Sequence, residues 1–242
     1  MEVLFEDIIN FLFPAKGLCL FCWHEYSGTP DWKVCPQCTQ EILNFSRVSK
    51  CCSLCGRYST EESCPNCHGR GIPGVAGVIS VVPYLGRNRE LIQQLKYGDD
   101  QELSKPLGYL MGRRWRQAKP KLRPDVIIPV PLEPQRHKER GFNQSTLLGQ
   151  TLSKILRLPM EEDYLLRSNR KASQASLGRR DRASNIRNAF CEGAIGKLTG
   201  KTVLLIDDIV TTGATLEACA TILHKLEVKT VWGLTWAAGI RT

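Results

Sequence analysis

Two features are missing from this sequence, and each absence excludes a class of protein. No stretch approaches the roughly 20 consecutive apolar residues that a membrane-spanning helix needs. The N-terminal stretch contains Glu2, Glu6 and Asp7, and it has neither the basic beginning nor the small-residue cleavage site of a secretory leader. We therefore expect a cytoplasmic protein without membrane insertion.

Cysteine is scarce in the larger part of the chain, where only Cys191 and Cys219 occur. The other nine of the 11 cysteines lie between Cys19 and Cys67, mostly as Cys-x-x-Cys pairs. This spacing is typical of metal sites and argues against a disulfide framework. The same segment has many turn-forming residues and few large apolar ones, so we expect it to need metal in order to fold.

The paired cysteines form two quartets, and each has the spacing of a tetrahedral Zn(Cys)₄ ribbon. The eight predicted zinc ligands are Cys19, Cys22, Cys35 and Cys38 in the first quartet, and Cys52, Cys55, Cys64 and Cys67 in the second. Two alternatives stay open. Cys51 could replace Cys52, and a cross-braced arrangement could join the first pair to the third.

Hydrophobic patterning divides the chain into two parts, residues 1–72 and 73–242. The first part is predicted to hold a short amphipathic helix, near Val3 to Leu12, and the double zinc ribbon. The second alternates strands with helices, which predicts a mainly parallel α/β sheet with helices on both faces. Its predicted strands are Val78–Tyr84, Val126–Val130, Thr202–Ile206 and Thr230–Trp236, and its predicted helices are Glu90–Tyr97, Glu102–Ala118, Gln144–Arg157 and Leu216–Leu226.

The segment VLLIDDIVTTGAT, from Val203 to Thr215, is the strongest functional signal. It predicts a buried strand that ends in an acid, followed by a tight turn at Gly213 into a helix that starts near Leu216. Ligands of open α/β sheets bind at this carboxyl edge, and backbone amides at a helix N-terminus stabilise anions. A monophosphate fits there. The residues expected to bind it are Thr211, Thr212, Gly213, Ala214 and Thr215.

Asp207 and Asp208 precede this turn and offer two adjacent carboxylates. They can accept hydrogen bonds from the 2- and 3-hydroxyls of a ribose, and they can hold Mg²⁺ through water. The alternative is an ordinary junction in which one acid only caps the next helix. The Thr-Thr-Gly-x-Thr tail favours a ligand site, and with it the segment resembles the signature of type I phosphoribosyltransferases. That resemblance implies their fold and phosphoribosyl pyrophosphate as the ligand.

Two more stretches resemble the ComF/GntX family of competence and DNA-utilisation proteins. They are IPVPLEPQRHKERGFNQS, from Ile128 to Ser145, and RSNRKASQASLGRRDRASNIRNAF, from Arg167 to Phe190. With the paired cysteines, the likeness covers nearly the whole chain. It implies a zinc ribbon fused to a phosphoribosyltransferase domain, a role in handling imported DNA, and DNA-uptake or helicase proteins as partners.

Basic residues are concentrated in two places. A loop with Arg136 and Arg140 is expected beside the same sheet edge as the acids, where its guanidinium groups can bind the pyrophosphate leaving group. The segment Arg167 to Arg187 fits no regular period, and we expect a long mobile loop that closes over the ligand. Within it, Arg180 and Arg182 join the two acids as candidate catalytic residues.

The excess of positive charge lies beyond residue 72, where 27 Lys and Arg face 16 acids, whereas residues 1–72 hold six against eight. This excess of 11 indicates an anionic partner, either a phosphorylated small molecule or nucleic acid. Two hypotheses follow. One is Mg²⁺-dependent phosphoribosyl transfer to an unidentified acceptor; the other is a non-catalytic module that senses phosphoribosyl pyrophosphate or binds single-stranded DNA. Fold alone does not decide between them.

Overall fold

The structure is a computed structural model that describes residues 16–27, 33–48, 51–59, 64–65, 67–98, 100–118, 123–167, 189–193 and 198–241. Two predictions fall outside these residues. They are the helix near Val3 to Leu12 and nearly all of the basic segment after Arg167, including Arg180 and Arg182. Within the described part of the chain, no helix combines the length and the apolarity that crossing a membrane would require.

The described residues form ten strands and six α-helices. The strands are β1 Lys16–Leu18, β2 Glu25–Ser27, β3 Tyr58–Ser59, β4 Gly77–Pro83, β5 Val126–Pro129, β6 Leu165–Arg167, β7 Phe190–Glu192, β8 Thr202–Val210, β9 Thr230–Ala238 and β10 Ile240–Arg241. The helices are α1 Pro36–Val48, α2 Gly86–Tyr97, α3 Ser104–Ala118, α4 Pro134–Arg140, α5 Gln144–Leu156 and α6 Ala214–Lys225, and a 3₁₀ turn at Gln101–Leu103 leads into α3.

Four strands make the central sheet in the order β4-β9-β8-β5, and every neighbouring pair is parallel. β8 lies inside the sheet, and eight of its nine residues are buried. A continuous apolar strand of this kind is expected where helices cover both faces of a parallel sheet. The predicted mainly parallel α/β fold is therefore confirmed. Outside the central sheet, β1 and β2 pair antiparallel, as do β6 and β7, while β3 and β10 pair parallel.

The sheet separates the buried core into two clusters, because side chains alternate between its faces along each strand. Ile79 and Leu204 belong to the cluster that includes α2, α3 and α5. Val78 and Leu205, one position away, belong to the cluster that includes α6. The helices on both faces thus fix the register of the sheet.

The cysteine-rich segment, residues 16–72, contributes to both clusters. Cys19, Cys35 and Cys38 of the first quartet pack in the cluster with α2, α3 and α5. Cys55 and Cys67 of the second quartet pack in the cluster with α6. The two quartets therefore lie against opposite halves of one core.

The cysteine-rich segment also makes polar contacts with β4. The Tyr58 hydroxyl donates a hydrogen bond to the carbonyl of Val81 at 2.9 Å. The backbone N–H of Val78 donates to the carbonyl of Ser53 at 3.2 Å. These bonds tie the segment to the backbone of the outermost strand on this side of the sheet.

Two sequence expectations need correction. The stretch with Arg136 and Arg140 is the helix α4 and not a loop, because Pro134 is suited to the first helical turn and Gly141, with φ of 77°, ends the helix in the left-handed conformation. β8 does not end near Asp207 but continues to Val210, since its last residues pair with the end of β9.

Candidate active site at the carboxyl edge of the sheet

Asp207 and Asp208 lie near the carboxyl end of β8, and both are buried. The Ser145 hydroxyl donates to Asp207 Oδ1 at 3.2 Å, and the Gln144 side-chain amide donates to Asp208 Oδ1 at 3.4 Å. Lys96, in the last turn of α2, forms an ion pair with Asp208 Oδ2. The fold thus brings the end of α2 and the beginning of α5 together around the two acids.

The two carboxylates lie in different electrostatic surroundings. Burial raises the pKa of Asp207 well above its usual range, the adjacent charge of Asp208 raises it further, and Lys96 acts in the opposite direction. Asp208 pairs with Lys96 of α2, whereas Asp207 accepts a hydrogen bond from Ser145 of α5 and lies near enough to Cys219 of α6 to add to the effect of burial in raising the pKa of that thiol. A buried carboxylate with a raised pKa is stabilised in its charged form by any added cation or hydrogen-bond donor.

The turn from β8 into α6 has the features of an anion site. Thr211 and Thr212 are exposed, and the Thr212 hydroxyl accepts a hydrogen bond from the N–H of Ala214 at 3.3 Å. Gly213 has φ of 87° and directly precedes α6, and its carbonyl accepts from the N–H of Glu217. Thr215 lies in the first turn of the 12-residue helix, half-buried. Threonine hydroxyls and the positive end of the helix dipole therefore share one short segment.

The two predicted pyrophosphate arginines of α4 differ in their position. Arg140 donates to Gln144 Oε1 at 3.1 Å and to the Tyr97 hydroxyl at 2.8 Å, and its guanidinium carbon lies 4.5 Å from the centre of the Tyr97 ring. Arg136 points elsewhere and pairs at 3.6 Å with Glu133, and both side chains are largely exposed. Of these two arginines, only Arg140 is connected to the acids, because Gln144 bonds both to it and to Asp208.

The structure adds four residues to the site that were not predicted: Lys96, Tyr97, Gln144 and Ser145. Gln144 and Ser145 end the RGFNQS stretch, so their position in that motif was a signal. Lys96 and Tyr97 carried no such signal, because sequence alone does not show that the end of α2 meets the end of β8.

The two cysteine quartets are assembled in space as their spacing predicts. Within each quartet, all four sulfur atoms lie within 4.8 Å of one another. The Cys22–Cys35 sulfurs are 3.8 Å apart, the Cys52–Cys67 sulfurs 3.7 Å and the Cys55–Cys64 sulfurs 3.6 Å. A tetrahedral zinc with Zn–S bonds of about 2.3 Å requires sulfur separations of about 3.8 Å. Both groups therefore fit a metal ion, and these separations are much too long for disulfides.

The positions of the sulfur atoms bear on both alternatives for the quartets. Cys51 lies outside the second group, and its thiol donates to the carbonyl of Gly56 at 3.4 Å. Each quartet consists of consecutive pairs, so the first pair is not joined to the third. Burial raises the pKa of Cys19, but backbone N–H groups, foremost that of Cys35, outweigh burial and lower the value to about 7. These N–H groups thus stabilise a negative charge on the Cys19 sulfur.

Comparison with known proteins identifies the α/β domain and the family of the whole chain. The family described as "Phosphoribosyl transferase domain" matches residues 143–236. Competence protein F of Haemophilus influenzae is 34% identical over 209 residues, covering 83% of this chain and 89% of the relative. DNA utilization protein YhgH of Escherichia coli is 32% identical over 217 residues, covering 87% and 92%. Competence protein ComFC of Bacillus subtilis is 28% identical over 224 residues, covering 85% and 88%.

Among solved structures, a purine phosphoribosyltransferase of Pyrococcus horikoshii aligns with a TM-score of 0.36 and 20% identity, over 56% of this chain and 73% of the other. The parallel sheet and the matched family together define a phosphoribosyltransferase-type α/β domain, preceded by two cysteine quartets able to bind metal. Because Competence protein F is so similar along most of its length, this chain belongs to the ComF family.

Proposed function

We propose that this protein binds phosphoribosyl pyrophosphate together with Mg²⁺ at the carboxyl edge of its sheet. The observation that supports this proposal is the continuity of β8, in which two buried acids are followed within a few residues by an exposed threonine turn at a helix N-terminus. A ribose phosphate needs these two kinds of group side by side: acceptors for its hydroxyls and donors for its phosphate.

Each part of the ligand is assigned to a part of the site. The turn from Thr211 to Thr215 binds the 5-phosphate, and Asp207 and Asp208 bind the ribose hydroxyls. Mg²⁺, held by these acids through water, would neutralise the pyrophosphate. Arg140, which Gln144 links to Asp208, is assigned to the pyrophosphate, and Arg136 of the same helix is assigned the same role.

The proposed reaction is phosphoribosyl transfer. As pyrophosphate leaves, the anomeric carbon gains positive charge, and no nucleophilic side chain of the protein is required. The chain would act by positioning the ribose through its acids and by donating hydrogen bonds from Arg140 to the leaving group. Arg180 and Arg182 are proposed to assist when their segment closes over the ligand.

We further propose that zinc occupies both cysteine quartets and that the protein serves DNA uptake or utilisation. The sulfur separations support zinc. The names of the relatives, competence protein and DNA utilization protein, support the second point.

The binding proposal can be tested by calorimetry with phosphoribosyl pyrophosphate in the presence and absence of Mg²⁺. The double variant Asp207→Asn with Asp208→Asn should abolish Mg²⁺-dependent binding. Asp125→Asn is the matched control, since Asp125 lies at the opposite end of β8, where it accepts from the N–H of Thr202 at 2.7 Å. Unchanged affinity in the folded double variant would refute the assignment of the two acids.

Turnover is tested separately, by measuring pyrophosphate release from phosphoribosyl pyrophosphate with candidate bases, amines and DNA. Release that depends on an acceptor supports the transferase. Tight binding without release under all of these conditions supports the alternative, a module that senses the ligand.

A further inference from the structure

The turn from Thr211 to Thr215, which we call the phosphate turn, packs against a residue that lies outside the region matched by the phosphoribosyl transferase family, residues 143–236. Gly213 is buried, and a Cβ atom at this position would lie only 2.6 Å from Cδ1 of Ile72 and 2.9 Å from its Cγ1. Ile72 is itself only 4% exposed and packs in the same cluster as Leu216 of α6. The side chain of Ile72 therefore lies directly against the backbone of the turn that we assign to the 5-phosphate.

Ile72 follows the second cysteine quartet closely, and the intervening chain is held in place. The N–H of Arg70 donates to the carbonyl of Cys67 at 2.9 Å. A Cβ atom on Gly71 would lie 3.3 Å from Cβ of Leu54, which is between the first two cysteines of that quartet. Three of the residues from His68 to Gly71 have positive φ, so the chain turns tightly from the quartet to Ile72.

The other side of Ile72 is attached to α6. The carbonyl of Gly74 is 2.7 Å from Nε2 of His224, near the end of that helix. A Cβ atom on Gly74 would also lie 3.4 Å from Cβ of Ala220. The short connection from Cys67 to Gly74 thus spans from the second quartet to the helix whose N-terminus forms the phosphate turn.

We infer that Ile72 is a positioning residue for the phosphate turn, and that through it a metal in the second quartet raises the affinity of the turn for a phosphate ester. This inference rests on the proposed function. With the quartet ordered by metal, Ile72 holds the backbone at Gly213 in one conformation. Without metal, the connection can move, and the ligand must order the turn when it binds, which lowers affinity by about tenfold.

The first quartet provides an internal comparison. Its buried cysteines pack in the cluster on the opposite face of the sheet, with α2, α3 and α5. Loss of metal there does not reach Ile72 through any of the contacts described. The inference therefore predicts an asymmetric effect: the phosphate turn responds to the second quartet and not to the first.

The experiment compares Cys67→Ser with Cys38→Ser, two equally buried ligands in different quartets. Hydrogen exchange of the backbone N–H of Glu217, which donates to the carbonyl of Gly213 at 2.9 Å, is measured without ligand. Exchange should be about tenfold faster in Cys67→Ser, while Cys38→Ser should lose its own metal and keep the wild-type rate. Equal rates in the two variants would overturn the inference, whether or not any ligand binds.

A second comparison avoids the cysteines. Ile72→Ala is paired with Ile79→Ala, which removes the same atoms at a buried position on the other face of the sheet. Ribose 5-phosphate and inorganic pyrophosphate serve as probes in calorimetry. Ile72→Ala should weaken ribose 5-phosphate about tenfold and leave pyrophosphate unchanged, and Ile72→Val should restore most of the loss. A parallel loss of both probes would show general destabilisation and contradict the positioning role.

These outcomes separate the two proposals. If wild-type protein binds neither probe nor phosphoribosyl pyrophosphate, the proposed function fails, while the exchange rates still decide whether the quartet controls the turn. If wild-type protein binds both probes and Ile72→Ala binds them as tightly, the proposed function survives and the inference fails.

Discussion

Asp207 and Asp208 are adjacent and chemically identical, yet replacing each by asparagine should change stability in opposite directions. Asp208 is paired with Lys96, whose side chain is only 15% exposed. Asp207 is the acid whose pKa is raised by burial and by the charge of Asp208. The carboxylate of Asp208 therefore neutralises the buried Lys96, whereas ionised Asp207 places a second negative charge beside that of Asp208.

The expected magnitudes follow from these contacts. Asp208→Asn leaves Lys96 without its partner, a loss that costs about 3–5 kcal/mol for a buried pair. Since Asp207 remains close enough to interact with Lys96, we expect the cost to fall to about 2–3 kcal/mol. Asp207→Asn can keep the hydrogen bonds from Ser145 and from the N–H of Asp208. It should raise stability by about 1 kcal/mol, or roughly 2–4 °C in Tm.

The pH dependence provides a further check on Asp207. Because its pKa is raised on folding, the folded protein keeps this proton to higher pH than the unfolded chain, in which the pKa is about 3.9. The contribution of Asp207 to wild-type stability therefore falls as pH rises from about 3.9 to its folded pKa. The advantage of Asp207→Asn should grow over that window and stay constant above it.

Urea unfolding of wild type, Asp207→Asn and Asp208→Asn is measured without Mg²⁺ and repeated at several pH values. It reports both the change in stability and its dependence on pH. The m-values must agree among the variants, so that differences in midpoint report stability. Equal destabilisation by the two substitutions, or an Asp207→Asn effect that does not change with pH, would refute the electrostatic assignment.

Three other predictions concern the metal, the turn and DNA. Metal analysis should find about two Zn²⁺ per chain. Cys22→Ser should lose one of them and unfold only the ribbon around it. A single zinc in wild type would contradict the two-site proposal. Gly213→Ala combines positive φ with overlap against the neighbouring isoleucine, so chemical unfolding should show a loss of about 2–5 kcal/mol. Binding of single-stranded DNA, measured by fluorescence anisotropy, should weaken steeply as salt concentration rises. When three arginines become alanine, the slope of log affinity against log salt concentration should become shallower by up to about three charges. The three arginines are Arg179, Arg180 and Arg182. If wild-type protein does not bind single strands even at low salt, direct contact with DNA is excluded.

The parallel sheet and the turn from Thr211 to Thr215 could be predicted because their signals are local. Apolar runs alternating with helical periods define a parallel α/β sheet, and the residues from Asp207 to Thr215 are continuous in sequence. The cysteine quartets could be predicted for the same reason, since metal geometry restricts the spacing of ligands along the chain.

The partners of the acids could not be predicted, because they depend on tertiary packing. Lys96 reaches Asp208 only because α2 packs on one face of the sheet and ends at its carboxyl edge. The contact of Ile72 with Gly213 joins residues that are 141 positions apart in the sequence. Neither contact has a periodic or spacing signal, and both depend on how the helices and the cysteine-rich segment close around the sheet.

The hydrogen bonds that tie the cysteine-rich segment to β4 have a consequence for solubility. β4 is an edge strand, and an uncovered edge offers free N–H and carbonyl groups to any other strand. Ser53 and Tyr58 occupy two of those groups, at Val78 and Val81. We therefore expect that removing the segment would turn a protected edge into a template for intermolecular pairing and would promote aggregation.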